Sequence, residues 1–267
     1  MKVAFIGGGT MAEALLGGLL SSQVSVAEEI KIGEPIEARR AFLTQKYNVE
    51  AFADNTQAIT NANLIILAVK PQDLNKITSE LKSSIKPDQT ALSIIAGTKI
   101  PTIMHSLEHS SVIRVMPNTP AQIGCGMSMW TCTPQVDLTT KEVTRAILSS
   151  VGQEIFVEDE KYLDMATALS ASGPAYVFLF IEALIDAGVY VGLPRDISRT
   201  LALQTVYGST QLVLKTGNHP AILKDMVVSP GGTTAEGLQV LESGGLPGTI
   251  VNAVNTAYQK AISLGQQ

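Results

Sequence analysis

Lys2-Val3-Ala4-Phe5-Ile6-Gly7-Gly8-Gly9-Thr10-Met11-Ala12 decides the fold. The apolar run up to Ile6 suits a buried parallel strand. It leads straight into a glycine triplet that fits G-x-G-x-x-A. Ala14, Leu15, Leu19 and Leu20 then recur at helical spacing. Each small residue has a mechanical task in such a strand–turn–helix unit. Gly7 permits the tight turn, Gly9 lets a pyrophosphate approach the backbone, and Ala12 lets the helix pack closely on the strand. The phosphates are expected on Gly7, Gly9, Thr10, Met11 and Ala12, at the positive end of the helix. The expected ligand is a dinucleotide.

Working outward, strands and helices alternate up to about Val157. Glu29 to Gly33 reads as a second strand and Ile36 to Tyr47 as a helix. Leu64 to Val69 is a fully apolar strand, followed by a helix from Gln72 to Lys82 and a strand from Thr90 to Ile95. Ser111 to Met116 and Gly126 to Thr131 read as strands, Thr139 to Ser150 as a helix, and Ile155 to Val157 as a last edge strand. Apolar strands in turn with helices predict an α/β fold, a doubly wound, mostly parallel Rossmann sheet covered on both faces.

From Lys161 the pattern is helical only: Tyr162 to Leu169, Pro174 to Ala187, Asp196 to Leu214, a short helix from His219-Pro220, and Pro247 to Leu264. The Pro174 and Asp196 helices carry apolar residues on both surfaces, more than a small bundle hides. The expectation is a dinucleotide-binding domain over 1–158 and an all-α oligomerisation and substrate domain over 159–267, with a homodimer as the minimal unit.

Composition narrows the partners. Of 267 residues 45% are hydrophobic but only 5% aromatic, and the net charge is −5. Without a basic cluster, nucleic acid is not expected, which leaves a small-molecule substrate. No apolar run is expected to reach membrane-spanning length, and the strand beginning at Lys2 argues against a signal peptide. Cys125 and Cys132 are too few for a disulfide framework and have no metal-ligand company, so no metal is expected. These readings predict a cytoplasmic protein.

Ligands bind at the carboxyl ends of the strands. Ala68-Val69-Lys70-Pro71 closes the strongest strand, and Lys70 is expected to point into the crevice. Ala96-Gly97 closes the next, and Asn118 lies in the turn-rich Met116 to Pro120. Glu34, at the end of the second strand, stands where an acid accepts hydrogen bonds from ribose hydroxyls and repels a 2′-phosphate; it can equally cap the helix after Pro35. Arg39 and Arg40 are close enough to offer a phosphate partner. Near the C-terminus, Ser229-Pro230-Gly231-Gly232-Thr233-Thr234-Ala235-Glu236-Gly237 combines a fixed proline, two flexible glycines and two hydroxyls where a helix should begin. Such an end binds a small anion such as a carboxylate. A helix cap on a tight loop is the plain alternative. His105, His109 and His219 read as structural or surface residues.

The run from Leu223 through Leu241 resembles the signature of the pyrroline-5-carboxylate reductases. Arg114 to Pro120 and Ser170-Ala171-Ser172-Gly173-Pro174-Ala175-Tyr176 are similar to further motifs of that family, in the family's order along nearly the whole chain. The resemblance implies hydride transfer from NADPH or NADH to the imine carbon of L-1-pyrroline-5-carboxylate, giving L-proline. It places Ala68 to Pro71 and Ala96-Gly97 along the nicotinamide and Asn55 on the adenosine side. It implies a substrate loop of Ser229, Gly231, Gly232, Thr233 and Thr234, with the Thr234 hydroxyl on the ring nitrogen. Thr167 and Ser172 are secondary hydroxyls and Lys70 a further candidate for the chemistry. Interlocked helical domains, with dimers joining into larger rings, are implied too. Met226 departs from members with a polar residue there, so no substrate contact is carried onto it. A β-hydroxyacid dehydrogenase or another imine reductase would put a catalytic lysine or aspartate in the long helix, where Phe178 to Ile185 offers only Glu182. A non-catalytic dinucleotide-binding regulator would need no glycine–threonine loop.

Overall fold

The structure is a computed structural model and describes residues 1–265; the last two residues of the expected second domain lie outside the described residues. Two compact units form: Met1–Ser172 with the segment from Ala257 onward, and Gly173–Thr256.

The first unit carries β1 (Val3–Ile6), α1 (Thr10–Ser21), β2 (Ile30–Gly33), α2 (Glu37–Tyr47), β3 (Glu50–Phe52), α3 (Asn55–Ile59) and β4 (Leu64–Leu67). It continues with α4 (Leu74–Leu81), β5 (Thr90–Ser93), α5 (Ile100–Leu107), β6 (Val112–Met116), β7 (Gly126–Cys132), α6 (Leu138–Ser149), β8 (Gly152–Phe156) and α7 (Lys161–Ala166). The strands form one sheet in the order β3-β2-β1-β4-β5-β6-β7-β8. β1 lies between β2 and β4, with Val3 beside Ile30 and Leu64. The order reverses there, which is where an open α/β sheet binds its ligand. The period of two divides β1 between two cores. Val3 and Phe5 pack with Leu15, Leu19 and Trp130 on one face, while Ala4 and Ile6 pack with Ile65, Leu81 and Ile103 on the other.

The mostly parallel sheet is as expected, and its exception has a simple cause. β7 runs antiparallel to β6. Only a short segment containing the 3-10 turn Thr119–Ile123 joins them, and a parallel return needs a crossover of a dozen residues or more. The α6 crossover then makes β8 parallel to β7. Three elements have no counterpart in the sequence reading: β3 and α3, too short to show a period, and α5, which opens on Ile100-Pro101.

The compact units divide between Ser172 and Gly173, within the helical region that begins at α7. Arg114, fully buried in β6, donates to Glu160 Oε1 at 2.9 Å and to Asp164 Oδ1 at 2.8 Å, and so ties the start of the helical region to the sheet.

After α7 a π-helical turn, Thr167–Ala171, leads into α8 (Gly173–Tyr190). The expectation that no apolar run reaches membrane-spanning length is corrected here. Lys161–Tyr190 is one helical run that passes that test by length and composition, with a mean hydropathy of 1.6 over its best window. The sequence pattern splits the run at Ser170 to Gly173, where the structure has the π-helical turn ending at Ala171 and a single bend residue, Ser172, before α8.

The second unit holds α8, α9 (Arg195–Thr216), α10 (Pro220–Val227), α11 (Thr233–Ser243) and most of α12 (Leu246–Leu264). Ser198 Oγ donates to the Ile185 carbonyl at 2.6 Å where α9 crosses α8, and a Cβ at Gly188 would collide with Ser198. The packing is thin beyond such points. Within the single chain α8 and α11 contribute no buried residue, and Phe178, Leu179, Leu201 and Tyr207 are more than half exposed.

Candidate active site

The loop between β1 and α1 is shaped by what crowds it and by what leaves it open. Gly7 has φ +94°, and a Cβ there would lie 2.6 Å from the Ala68 carbonyl oxygen. Both the turn and the close approach of β4 therefore require glycine. A Cβ on Gly8 would lie 2.6 Å from the Leu43 side chain, and one on Gly33 would collide with Asn55 Oδ1. Gly9 has no neighbour within 4 Å of its Cβ position, although it is the residue before the first turn of α1. The Thr10, Met11 and Ala12 amides have no intrahelical partners in that turn. Open space at Gly9 in front of free amides fits a dinucleotide pyrophosphate. Ala12 is buried against the core, as close packing of α1 demands.

Glu34 follows β2 and is buried. Its Oε2 accepts from the Gly8 amide at 2.8 Å and its Oε1 from the Ile36 amide at 2.9 Å. It thus holds the turn before α2, whose N-cap is Ile36, and also pins the glycine loop, while its remaining lone pairs can still accept from ribose hydroxyls. Arg39 is committed elsewhere: Nε donates to the Gly8 carbonyl at 2.6 Å and a terminal nitrogen meets Glu13 at 2.5 Å. Arg40 donates to the Glu34 and Pro35 carbonyls, both at 2.8 Å. Glu13 also accepts from Lys46 and Tyr47. Burial raises its carboxyl, but the hydrogen bonds from Lys46, Arg39 and Tyr47 outweigh it and bring the pKa down to about 2. Asn55, buried in the first turn of α3, donates to Glu80 Oε2 at 2.8 Å beside Gly33.

At the strand ends, Ala68 and Val69 leave β4 against Gly7, and Lys70 is exposed, preceding a 3-10 turn that begins at Pro71. Ala96 and Gly97 form the turn after β5. Gly97 has φ +72°, and its Cβ position lies 3.0 Å from Leu264. Asn118 spends its polar atoms on structure: Oδ1 accepts from the Met127 amide at 2.8 Å, and Nδ2 faces the Ser170 carbonyl and hydroxyl, each at 3.3 Å. Thr167 opens the π-helical turn, with its hydroxyl on the Leu163 carbonyl at 2.7 Å, and its carbonyl accepts from the Ser172 amide at 2.9 Å. A cleft of about 400 Å³ beside α1, lined by Glu13, Lys46, Tyr47 and Gln122, takes in Thr10 alone of the expected site residues.

In the second unit the chain turns between α10 and α11 through Gly231, at φ +67°. The Gly232 amide donates to the Ser229 carbonyl at 3.0 Å, and a Cβ on Gly232 would collide with Ser229 Oγ. Gly232 caps α11 without a side chain, and Thr233 and Thr234 begin the helix, where the two hydroxyls were expected. Among the described residues, no hydrogen bond engages the Ser229, Thr233 or Thr234 hydroxyls. His219 caps α10, its Nδ1 accepting from the Ala221 amide at 3.2 Å. The described residues hold no group of His, Cys, Asp and Glu that could bind a metal.

A parallel sheet with a G-x-G-x-x-A turn at its switch point, followed by a helical unit, is the plan of a two-domain dinucleotide-dependent oxidoreductase. Residues 160–264 match the family model for pyrroline-5-carboxylate reductase dimerisation, and residues 2–97 match that for NADP oxidoreductase, coenzyme F420-dependent. A pyrroline-5-carboxylate reductase from Synechocystis is 42% identical over 100% of this chain and 99% of the relative. One from Escherichia coli is 38% identical over 99% and 98%. The solved structure of the Coxiella burnetii enzyme matches with a TM-score of 0.91 at 33% identity, covering 100% of this chain and 99% of that one. That of Plasmodium falciparum pyrroline carboxylate reductase with NADP bound gives 0.90 at 34%, covering 99% and 98%. The chain belongs to the pyrroline-5-carboxylate reductase family.

Proposed function

We propose that this protein reduces L-1-pyrroline-5-carboxylate to L-proline, the last step of proline biosynthesis, in the cytoplasm. The reaction consumes one NADPH or NADH and one proton; hydride goes to the imine carbon and the proton remains on the ring nitrogen. Bound NAD(P)H supplies the hydride. The chain has to hold and orient the substrate. At the mouth of α11, the Thr233 and Thr234 amides and the Ser229 and Thr233 hydroxyls suit the substrate carboxylate, and the Thr234 hydroxyl suits the ring nitrogen. The observation that carries the reading is this helix end, with its three hydroxyls unbonded, on a chain similar to pyrroline-5-carboxylate reductases from end to end. The test is loss of reduced-cofactor absorbance when pyrroline-5-carboxylate is added. Tight cofactor binding without oxidation would favour a regulator.

The minimal unit in this proposal is a homodimer, able to associate further, in which one subunit's Gly231 to Thr234 loop serves the partner's dinucleotide domain. The bare apolar faces of α8 and α9 support it. Gly9→Ala adds a methyl where nothing crowds the fold but where the pyrophosphate must sit. Mixing inactive Gly9→Ala and Thr234→Ala subunits under exchange should restore part of the activity. A fully active monomer in sedimentation would sink the shared site.

A further inference from the structure

The turn after β5 is held by a carboxylate sixty residues away in sequence. Ile95 to Thr98 turns tightly, the Thr98 amide reaching the Ile95 carbonyl at 3.4 Å, and α5 begins two residues later. Lys99 precedes that helix and provides no side-chain cap. The Ile100 amide instead donates to Glu160 Oε1 at 2.7 Å, so Glu160 caps α5 from outside. Glu160 is fixed in turn by Arg114, and Arg114 by Asp164. Arg114 sits beside Ser93, the last residue of β5, in the sheet register. The guanidinium is wholly buried, and its Nε has no acceptor among the described residues, so its position is set by the two carboxylates. Leu264 and Gly265 press on the same turn, at Gly97 and Lys99.

We propose that Glu160, oriented by Arg114, is a positioning residue for the nicotinamide half of the cofactor. Its carboxylate fixes the Ala96–Gly97 turn through the Ile100 amide, and the adenosine half is untouched. This rests on the reading that the nicotinamide lies along that turn. The adenosine half belongs to the glycine loop and Glu34, across β1 and β4 in the sheet.

The test compares NADPH with 2′-phospho-ADP-ribose, the same molecule without the nicotinamide ring, by calorimetry on the whole protein. Glu160→Ala should weaken NADPH about tenfold, the scale of one charge-assisted hydrogen bond, and leave the ring-less ligand within about twofold. Glu160→Gln keeps an acceptor for the Ile100 amide and should recover most of the NADPH affinity. Ile100→Pro is a second variant should Glu160→Ala fail to fold. It deletes the donor together with an isoleucine side chain packed on the core, at a first helical position where proline is tolerated, after a Lys99 backbone (φ −82°, ψ 155°) compatible with it; the lost packing lowers stability but bears equally on both ligands. It should give the same split. Equal weakening of both ligands, or no change in either, would overturn the proposal. A parent that binds NADPH but does not oxidise it with pyrroline-5-carboxylate would sink the proposed reaction and leave this binding split standing.

Discussion

The protein has two glycine loops at helix N-termini, and they are finished to different degrees. The loop at Gly7 to Gly9 is fitted from all sides by its own chain: Ala68 against Gly7, Leu43 and Glu34 against Gly8, and the Glu34 carboxylate on the Gly8 amide. At the Gly231-Gly232 loop, among the described residues, an added Cβ would meet nothing at Gly231 and Ser229 at Gly232, and the loop lies in a unit whose helices leave large apolar residues exposed. A loop completed by local packing is formed before its ligand arrives. A loop with unbonded hydroxyls on a thinly packed helical unit is left less constrained by its own chain. The proposed chemistry divides along that line, cofactor on the first loop and substrate on the second.

The sharpest way to break the comparison is to add one methyl to each loop. Gly7→Ala meets both the positive φ and the Ala68 carbonyl, so it should cost about 2–4 kcal/mol of stability and most of the cofactor affinity. Gly231→Ala meets only the positive φ, with open space around it, and should cost about 1–2 kcal/mol. Denaturant midpoints of the two variants decide the matter. Equal losses would mean that the second loop is as tightly built as the first.

Thr234→Ala comes next in size. A lost hydrogen bond to a polarised ring nitrogen lowers turnover roughly ten- to a hundredfold, with cofactor affinity unchanged because the residue belongs to the other loop. Thr234→Ser should keep most of the activity. An alanine variant as fast as the parent would remove Thr234 from the mechanism.

What could be read in advance follows the same division. β1, β4 and the glycine pattern were legible because a strand's period, a glycine turn and a helical face are local signals. Gly8 and Gly33 were not, since the side chains that demand glycine there, Leu43 and Asn55, arrive from α2 and α3. The pairs of Arg114 with Glu160 and Asp164 link residues 46 and 50 apart, a distance no local pattern reports. The Met127 and Ser170 partners of Asn118 were not legible, because turn chemistry in a sequence does not say which partner the side chain finds. The proposed substrate loop stood out through its resemblance to a family; its composition alone fitted a helix cap equally well.

Glu34 tests whether the first loop's finish also sets cofactor choice. Glu34→Ser removes the acid and the anchor on Gly8 together. The ratio of kcat/KM for NADPH over NADH should rise roughly two- to tenfold, the scale of one hydrogen bond. Relative efficiencies that stay put would show Glu34 to anchor the loop and the turn before α2 and nothing more.

The last effect is on stability rather than activity, a pH dependence confined to the first unit. With a pKa lowered from 4.5 to about 2, Glu13 contributes stability that is fully present above pH 4.5 and is lost as pH falls toward 2. Its side chain is 19% exposed, and after solvent screening the contribution is about 1–2 kcal/mol. Glu13→Gln should therefore lower the denaturant midpoint at pH 7 and flatten its decline between pH 4.5 and 2. The counterpart in the second unit is the exposed pair of Lys224 and Glu242, 3.0 Å apart. Glu242→Gln should leave the midpoint where it was, because solvent already screens that pair. If Glu13→Gln followed the parent's curve through the acid range, the clamp of Glu13 on Arg39 behind the glycine loop would hold nothing, and the first loop would owe its finish to packing alone.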